Sequence, residues 1–171
     1  MRRWEIFADI LEYPTPLLGK QVDECLSLLL PDQEEAAACL GQFRDFLEQT
    51  TAGRVEEIYT STFDLQPTCY PYVGYHLFGE NHRRGSFMAQ LKEQYRIRNF
   101  PLVRELPDHI AVILRFLAHL EDDEERRELI HLGMVPSLQR MLEGFKDGKN
   151  PYRGVLQALL ILLEKERQQI A

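Results

Sequence analysis

Apolar residues recur at helical spacing through most of the chain, and that periodicity constrains the fold more than anything else in the sequence. Between residues 152 and 163 they fall at Tyr152, Val155, Leu156, Leu159, Leu160 and Leu163, one stripe on a helix of 3.6 residues per turn. Trp4, Phe7, Ala8 and Leu11 repeat the pattern until Pro14. Thr15-Pro16 is expected to open a second helix, with Leu18, Val22, Cys25, Leu26 and Leu29 as its stripe and Pro31 as its end. A third carries Ala36, Cys39, Leu40, Phe43, Phe46 and Leu47 and stops near Gly53, with Asp32 and Glu35 spaced as a capping box.

A short helix is expected over Val55–Phe63, and another over His82–Arg98, capped by Asn81, with Phe87, Met88, Leu91 and Tyr95 on one face. Pro107 is read as the start of a helix with Ile110, Ile113, Leu114, Leu117 and Leu120 inside and Asp108 in its first turn. The acidic run 121–128 opens the next helix. Gly133 and Pro136 are expected to interrupt before a stretch to Phe145, and Gly148 marks a stop. No alternating β pattern, long linker or internal repeat is present. The expected fold is all-α, a single-domain bundle over residues 1–171 of roughly eight to ten helices.

Charge and cysteine content narrow the function classes. The net charge of −7 excludes a general nucleic-acid binder. The acid is unevenly spread: from His82 to Arg98 five basic residues (Arg83, Arg84, Lys92, Arg96, Arg98) face one acid, Glu93, while the rest of the chain holds 15 basic and 26 acidic residues. Such a strip is either a docking surface for an acidic partner or a solvated helix face. Three cysteines without a CxxC pair indicate neither a disulfide frame nor a zinc ribbon, and free thiols fit a reducing compartment. The N-terminus lacks the long apolar run of a signal peptide, and no stretch suits a membrane span. The expectation is a cytoplasmic monomer with no membrane insertion and no cofactor.

Residues 69–85, CYPYVGYHLFGENHRRG, break the helical monotony with four aromatics, two histidines, two arginines and three glycines. Cys69, His76, His82 and His109 are not at zinc-motif spacings, so no metal site is expected. No nucleophile elbow, phosphate loop, dinucleotide fingerprint or HExxH occurs. Asp108 and His109 are adjacent, and neighbours on a helix point about 100° apart, a poor arrangement for a dyad. Glu105 and His109 nonetheless stay as functional candidates. Tyr72, Tyr75 and Phe78 read either as a core plug or as a recognition surface, with Arg83 and Arg84 supplying directional contacts.

The run 71–96, PYVGYHLFGENHRRGSFMAQLKEQYR, resembles the central region of NarJ-type chaperones, within the TorD/DmsD/NarJ group of redox-enzyme maturation proteins. ELPDHIAVILRFL (105–117) resembles the group's acid–proline–Asp-His element, YTSTFD (59–64) its aromatic-x-x-Leu-Phe element, and LEYP (11–14) the way NarJ-like chains begin. Thr62 departs from the group's usual Leu, and Pro107 stands directly before Asp108, which favours the NarJ-like branch.

The resemblance implies a chaperone rather than an enzyme. Its partner would be the apo catalytic subunit of a molybdenum reductase, typically a nitrate reductase, held by its N-terminal peptide while the molybdenum cofactor is inserted. The peptide would lie in an apolar groove lined by Tyr72, Tyr75 and Phe78, with Arg83, Arg84, Glu105, Asp108 and His109 at its edge. Asp108 and Glu105 would face basic residues of the peptide, and His109 would make binding depend on pH. Two alternatives stand beside this: a structural or regulatory adaptor subunit of a redox complex, and a small cofactor-binding enzyme using Glu105, Asp108 and His109.

Overall fold

The computed structural model describes every residue except 66, 103, 147, 170 and 171, and the side chain of 169 also lies outside the described set. The expected all-α architecture is borne out. The helices are α1 (Arg2–Ile10), α2 (Leu18–Leu29), α3 (Glu34–Glu48), α4 (Ala52–Phe63), α5 (Val73–Phe78), α6 (His82–Ile97), α7 (Ile110–His119), α8 (Asp123–Glu128), α9 (Val135–Glu143) and α10 (Tyr152–Gln169). A π-helical turn over Leu129–Met134 joins α8 to α9 without a break, so the described residues form nine separate helical bodies.

Helix α7 is the hub. Ile110 to Leu114, Phe116, Leu117 and Ala118 are all buried, as expected of a helix apolar on every side. Helix α1 packs on α7 and α2, α2 on α3, α3 on α10, and α10 on α9. Trp4, Phe7, Phe43, Tyr95 and Tyr152 are the bulkiest members of one continuous core. Cys25 and Cys69 are buried within it and Cys39 is half-buried. Burial pushes the thiols of Cys25 and Cys69 up to about 12, which keeps them protonated and inert.

Three local expectations are corrected. The Asp32–Glu35 capping box does not form, because the N-cap of α3 is Gln33 and no side chain caps it. Gly133 and Pro136 do not end a helix. The π turn absorbs the missing proline N–H, and Ser137 Oγ donates to the Gly133 carbonyl at 2.7 Å. Helix α7 starts at Ile110 rather than at Pro107, and the reason is non-local. The Ile110 N–H donates to Pro71 O and the Val73 N–H to Asp108 O, each at 2.8 Å, so the backbone at 108–110 is held extended in an antiparallel bridge.

Thr62, which stands where the wider TorD/DmsD/NarJ group often has Leu, is fully buried with its hydroxyl satisfied. It donates to Ile58 O and accepts from Asn150 Nδ2 at 2.7 Å, tying α4 to the loop before α10.

Candidate functional site

The segment 69–85 and the element 105–109 meet across the bridge of Tyr72 with His109. Asp108 is 0 % exposed, and Arg84 reaches it from α6 with Nε at 2.8 Å and Nη2 at 3.4 Å. The same guanidinium lies 5.1 Å over the Tyr72 ring, a cation–π contact, and the carboxylate beside it holds its pKa above the ordinary arginine value. The expectation that Asp108 stands at a groove edge to meet a basic target is therefore corrected: its carboxylate is inside and already paired. Asp108 is also not in the first turn of α7, since it precedes the N-cap.

That N-cap is His109, whose Nδ1 accepts from the Ala111 N–H at 3.2 Å. The proton of the neutral ring then sits on Nε2. His109 is 5 % exposed and packs edge-on against Tyr72 at 5.6 Å. Burial lowers its pKa, against the raising influence of Glu105, Glu12 and Asp108.

Gly74 makes this junction possible. A Cβ there would lie 2.7 Å from Asp108 Oδ2, 3.0 Å from Phe87 Cδ1 and 3.2 Å from Arg84 Cγ. Tyr95 Oη donates to Pro107 O at 2.7 Å from the core side, Ser137 Oγ, whose proton goes chiefly to Gly133 O, also lies 3.3 Å from Val73 O, and Arg140 donates to the carbonyls of His76 and Leu77 at the end of α5.

The other expected site residues separate. Tyr72, Tyr75 and Phe78 are all half-buried, but they do not share one wall. Tyr75 packs tilted against Tyr70 with ring centroids 4.3 Å apart, Tyr72 belongs to the Arg84–His109 junction, and Phe78 turns toward Phe87 at 5.6 Å. Arg83 and Glu105 are exposed. Of the basic strip, Arg84, Arg96 and Arg98 are engaged by Asp108, Glu93 and Glu125.

Phe78 faces a groove of about 570 Å³ between α5, α6, the end of α7, α8 and the π turn. Its apolar surface comes from Leu77, Phe78, Phe87, Leu91, Phe116, Leu129 and Leu132, its polar lip from Gln90, Gln94, Glu125 and Glu128. The sequence pattern put Phe87 and Leu91 on one helix face and gave Leu129 and Leu132 no role. Of the groove's apolar residues Leu132 alone is exposed, at 60 %.

The model of the family described as nitrate reductase delta subunit matches residues 30–147, more than half of the chain. The chain belongs to that family. Over 163 residues it is 27 % identical to NarW of Escherichia coli K12, named as a probable nitrate reductase molybdenum cofactor assembly chaperone, covering 95 % of this chain and 68 % of NarW. Over 123 residues it is 30 % identical to the nitrate reductase molybdenum cofactor assembly chaperone NarJ of the same organism, covering 70 % and 52 %. NarJ of Bacillus subtilis is 29 % identical over 109 residues, covering 63 % and 58 %. The chain thus spans between half and about two thirds of these relatives' length. A crystal structure of a candidate redox enzyme maturation protein from Archaeoglobus fulgidus shares the fold, with a TM-score of 0.65 at 23 % identity over 96 % of this chain and 94 % of that one. The resemblance to NarJ-type chaperones is borne out.

The family match includes both halves of the Tyr72–His109 bridge and the whole groove. In this delta-subunit family member no described helix is long and apolar enough to cross a membrane. Among the described residues no group of three or more His, Cys, Asp or Glu side chains is placed to hold a metal ion.

Proposed function

We propose that this chain is an assembly chaperone for a molybdenum oxidoreductase, a nitrate reductase in the first place, and that its groove holds the N-terminal segment of the apo catalytic subunit while the molybdenum cofactor is inserted. The observation that carries the reading is the groove itself. It is an apolar trough whose volume lies within the about 300–1,000 Å³ of ordinary ligand sites. It is walled by rigid helices and by Leu132, an exposed leucine on a π turn. Such a surface suits the apolar face of an amphipathic helix presenting anchors at i, i+3, i+4 and i+7. The names of the relatives support the client and the task.

In this reading Arg84, Asp108, His109 and Tyr72 fix α5 against α6 and α7, and so set the wall that Phe78 contributes. Glu105 and Arg83, both exposed, remain free to meet polar parts of the client. The chain works without catalysis. Asp108 is neutralised by Arg84 and His109 Nδ1 is committed to the Ala111 N–H, so the pair does not form an acid–base dyad, which speaks against the small-enzyme alternative. The description of the family as a delta subunit favours a second reading, an adaptor that stays with the mature complex. Co-purification with active, cofactor-loaded reductase would identify it.

The test is genetic and biochemical. In a strain lacking this chain, the catalytic subunit of the nitrate reductase should accumulate without molybdenum cofactor. A Leu132→Asp variant should fail to restore it while keeping the wild-type Tm, because residue 132 is largely exposed. Full cofactor content in the deletion strain would sink the chaperone reading, and full rescue by Leu132→Asp would remove the groove from it.

A further inference from the structure

Helix α8 is an unusual wall for an apolar groove. Its six residues, Asp-Glu-Glu-Arg-Arg-Glu, include no apolar side chain, and the one it buries is Arg126. Glu125 and Glu128 line the groove beside Leu129 and Leu132 of the π turn. Burial of apolar surface therefore does little to hold α8 down. Elements with few buried apolar contacts open at a fraction of the free energy of global unfolding.

The ties that hold α8 are polar. Arg98, at the end of α6, reaches Glu125, but both side chains are partly in water, 23 % and 41 % exposed, where such pairs contribute little. The stronger tie lies behind the groove. Arg126 Nη1 donates to Leu117 O at 2.5 Å and to Leu120 O at 3.2 Å, carbonyls that the end of α7 leaves free, and Nη2 donates to Glu166 Oε1 on α10. Arg126 and Glu166 are 9 % and 6 % exposed. Glu166 Oε2 accepts from Arg3 Nη2 of α1 at 2.6 Å. Among the described residues Glu166 is the only carboxylate that either arginine meets. One carboxylate thus holds two cations together, and without its charge two guanidiniums would face each other largely out of water. Between α8 and α9 stands the π turn, with Gly133 inside it and Pro136 just after it, a place where a helix bends easily. We infer that α8 is a lid hinged on the π turn and held shut by the Arg126–Glu166 pair, so that Arg3, Glu166 and Arg126 set the width of the groove without lining it.

The experiment is native-state hydrogen exchange of the full chain, read by mass spectrometry at urea concentrations below the unfolding transition. In the wild type, amides over 126–132 should exchange through an opening whose urea slope is less than about half that of the α7 amides, which wait for global unfolding. Glu166→Gln keeps the shape and removes the charge. It should speed exchange over 126–132 by at least about tenfold without urea. Adding Arg3→Gln removes the repulsion and should reverse most of that gain, because Arg126 keeps its bonds to Leu117 O and Leu120 O. The groove itself is read by Leu91→Cys, 5 % exposed at the groove wall, whose alkylation by iodoacetamide should quicken in the Glu166→Gln background. Mass mapping separates that thiol from the half-buried Cys39.

Exchange over 126–132 with the free energy and urea slope of α7 overturns the lid, since α8 would then open only with the whole fold. That arm uses the wild type and stands even if a variant does not fold. Exchange unchanged by Glu166→Gln, or quickened but not reversed by Arg3→Gln, overturns the latch. Unchanged alkylation at position 91 overturns its control of the groove. None of these outcomes involves a bound peptide, so the lid can fail while the peptide-binding reading stands, and the reverse.

Discussion

Gly74→Ala isolates the packing logic of the junction. Gly74 lies in the first turn of α5 and its φ is not in the left-handed region, so alanine is conformationally welcome there. In an open helix the change would stabilise by up to about 1 kcal/mol. Here the added methyl meets Asp108 Oδ2 at 2.7 Å, a distance real Cβ contacts essentially never show, and Asp108 cannot retreat because Arg84 grips both of its oxygens. Phe87, at 3.0 Å, is part of the groove wall and can swing. Overpacking of this kind costs about 1–3 kcal/mol, so the single variant should be destabilised by about 1–2 kcal/mol after the helix gain. Asp108→Ala alone leaves Arg84 partly buried without its counterion and should cost about 3 kcal/mol or more. In the double variant the methyl has room and the helix gain is recovered. The double variant's loss should therefore fall short of the sum of the two single losses by the whole overpacking term, about 1–3 kcal/mol, outside the about 0.3–0.5 kcal/mol of independent sites. Urea unfolding of the four proteins closes the cycle. Additivity within 0.5 kcal/mol would refute the claim that Gly74 exists to admit Asp108.

Two further outcomes follow from groups buried elsewhere. His109 and His76 are both held neutral by burial, their folded pKa values lying below the unfolded 6.5. The unfolded chain therefore takes up more protons as pH falls through 6.5. Stability is full above that value and is lost below it until the folded pKa values are reached. His109→Asn keeps a capping acceptor without a titrating ring, so Tm measured between pH 7.5 and pH 5 should fall less steeply than in the wild type, with His76 supplying the remaining slope. An unchanged slope would show that His109 does not carry acid sensitivity. Glu166→Ala removes the carboxylate that Arg3 holds at 2.6 Å and that Arg126 reaches from α8, stranding the buried Arg126. The expected loss is about 3–5 kcal/mol at unchanged m-value, and a loss below about 1 kcal/mol would mean that Arg126 is satisfied by its bonds to Leu117 O and Leu120 O alone.

What the sequence made legible, and what it hid, follows from the range of the interactions. Helix periodicity is local: the stripes of α1, α2, α7 and α10 and the Asn81 cap of α6 are where residues three and four apart say they should be. The start of α7 is not local. Pro107 and Asp108 have every short-range reason to begin a helix, yet carbonyls and amides more than thirty residues earlier, at Pro71 and Val73, hold that backbone extended. The π turn hid the groove for a similar reason. It lets α8, Leu129–Met134 and α9 run on where glycine and proline predict a stop, and it carries Leu132 out to the groove edge.

The aromatic segment was ambiguous because aromatics look alike in core and groove. Only the fold distributes Tyr72 to an arginine, Tyr75 to another tyrosine and Phe78 to the groove. The polar signature and the apolar groove are thereby linked through one short helix. The Asp108 main-chain carbonyl accepts from the Val73 N–H at the N-terminal end of α5, Arg84, paired with the Asp108 carboxylate, lies over the Tyr72 ring at that end, and Arg140 grips the C-terminal carbonyls. Phe78, the last residue of that helix, is a wall of the groove. A substitution at Asp108 should consequently reach a bound peptide by tilting α5 rather than by removing a contact. Its effect on affinity should then be reproduced by Arg84→Ala and not deepened when both are made, since either change breaks the same Arg84–Asp108 pair beside that end of the helix.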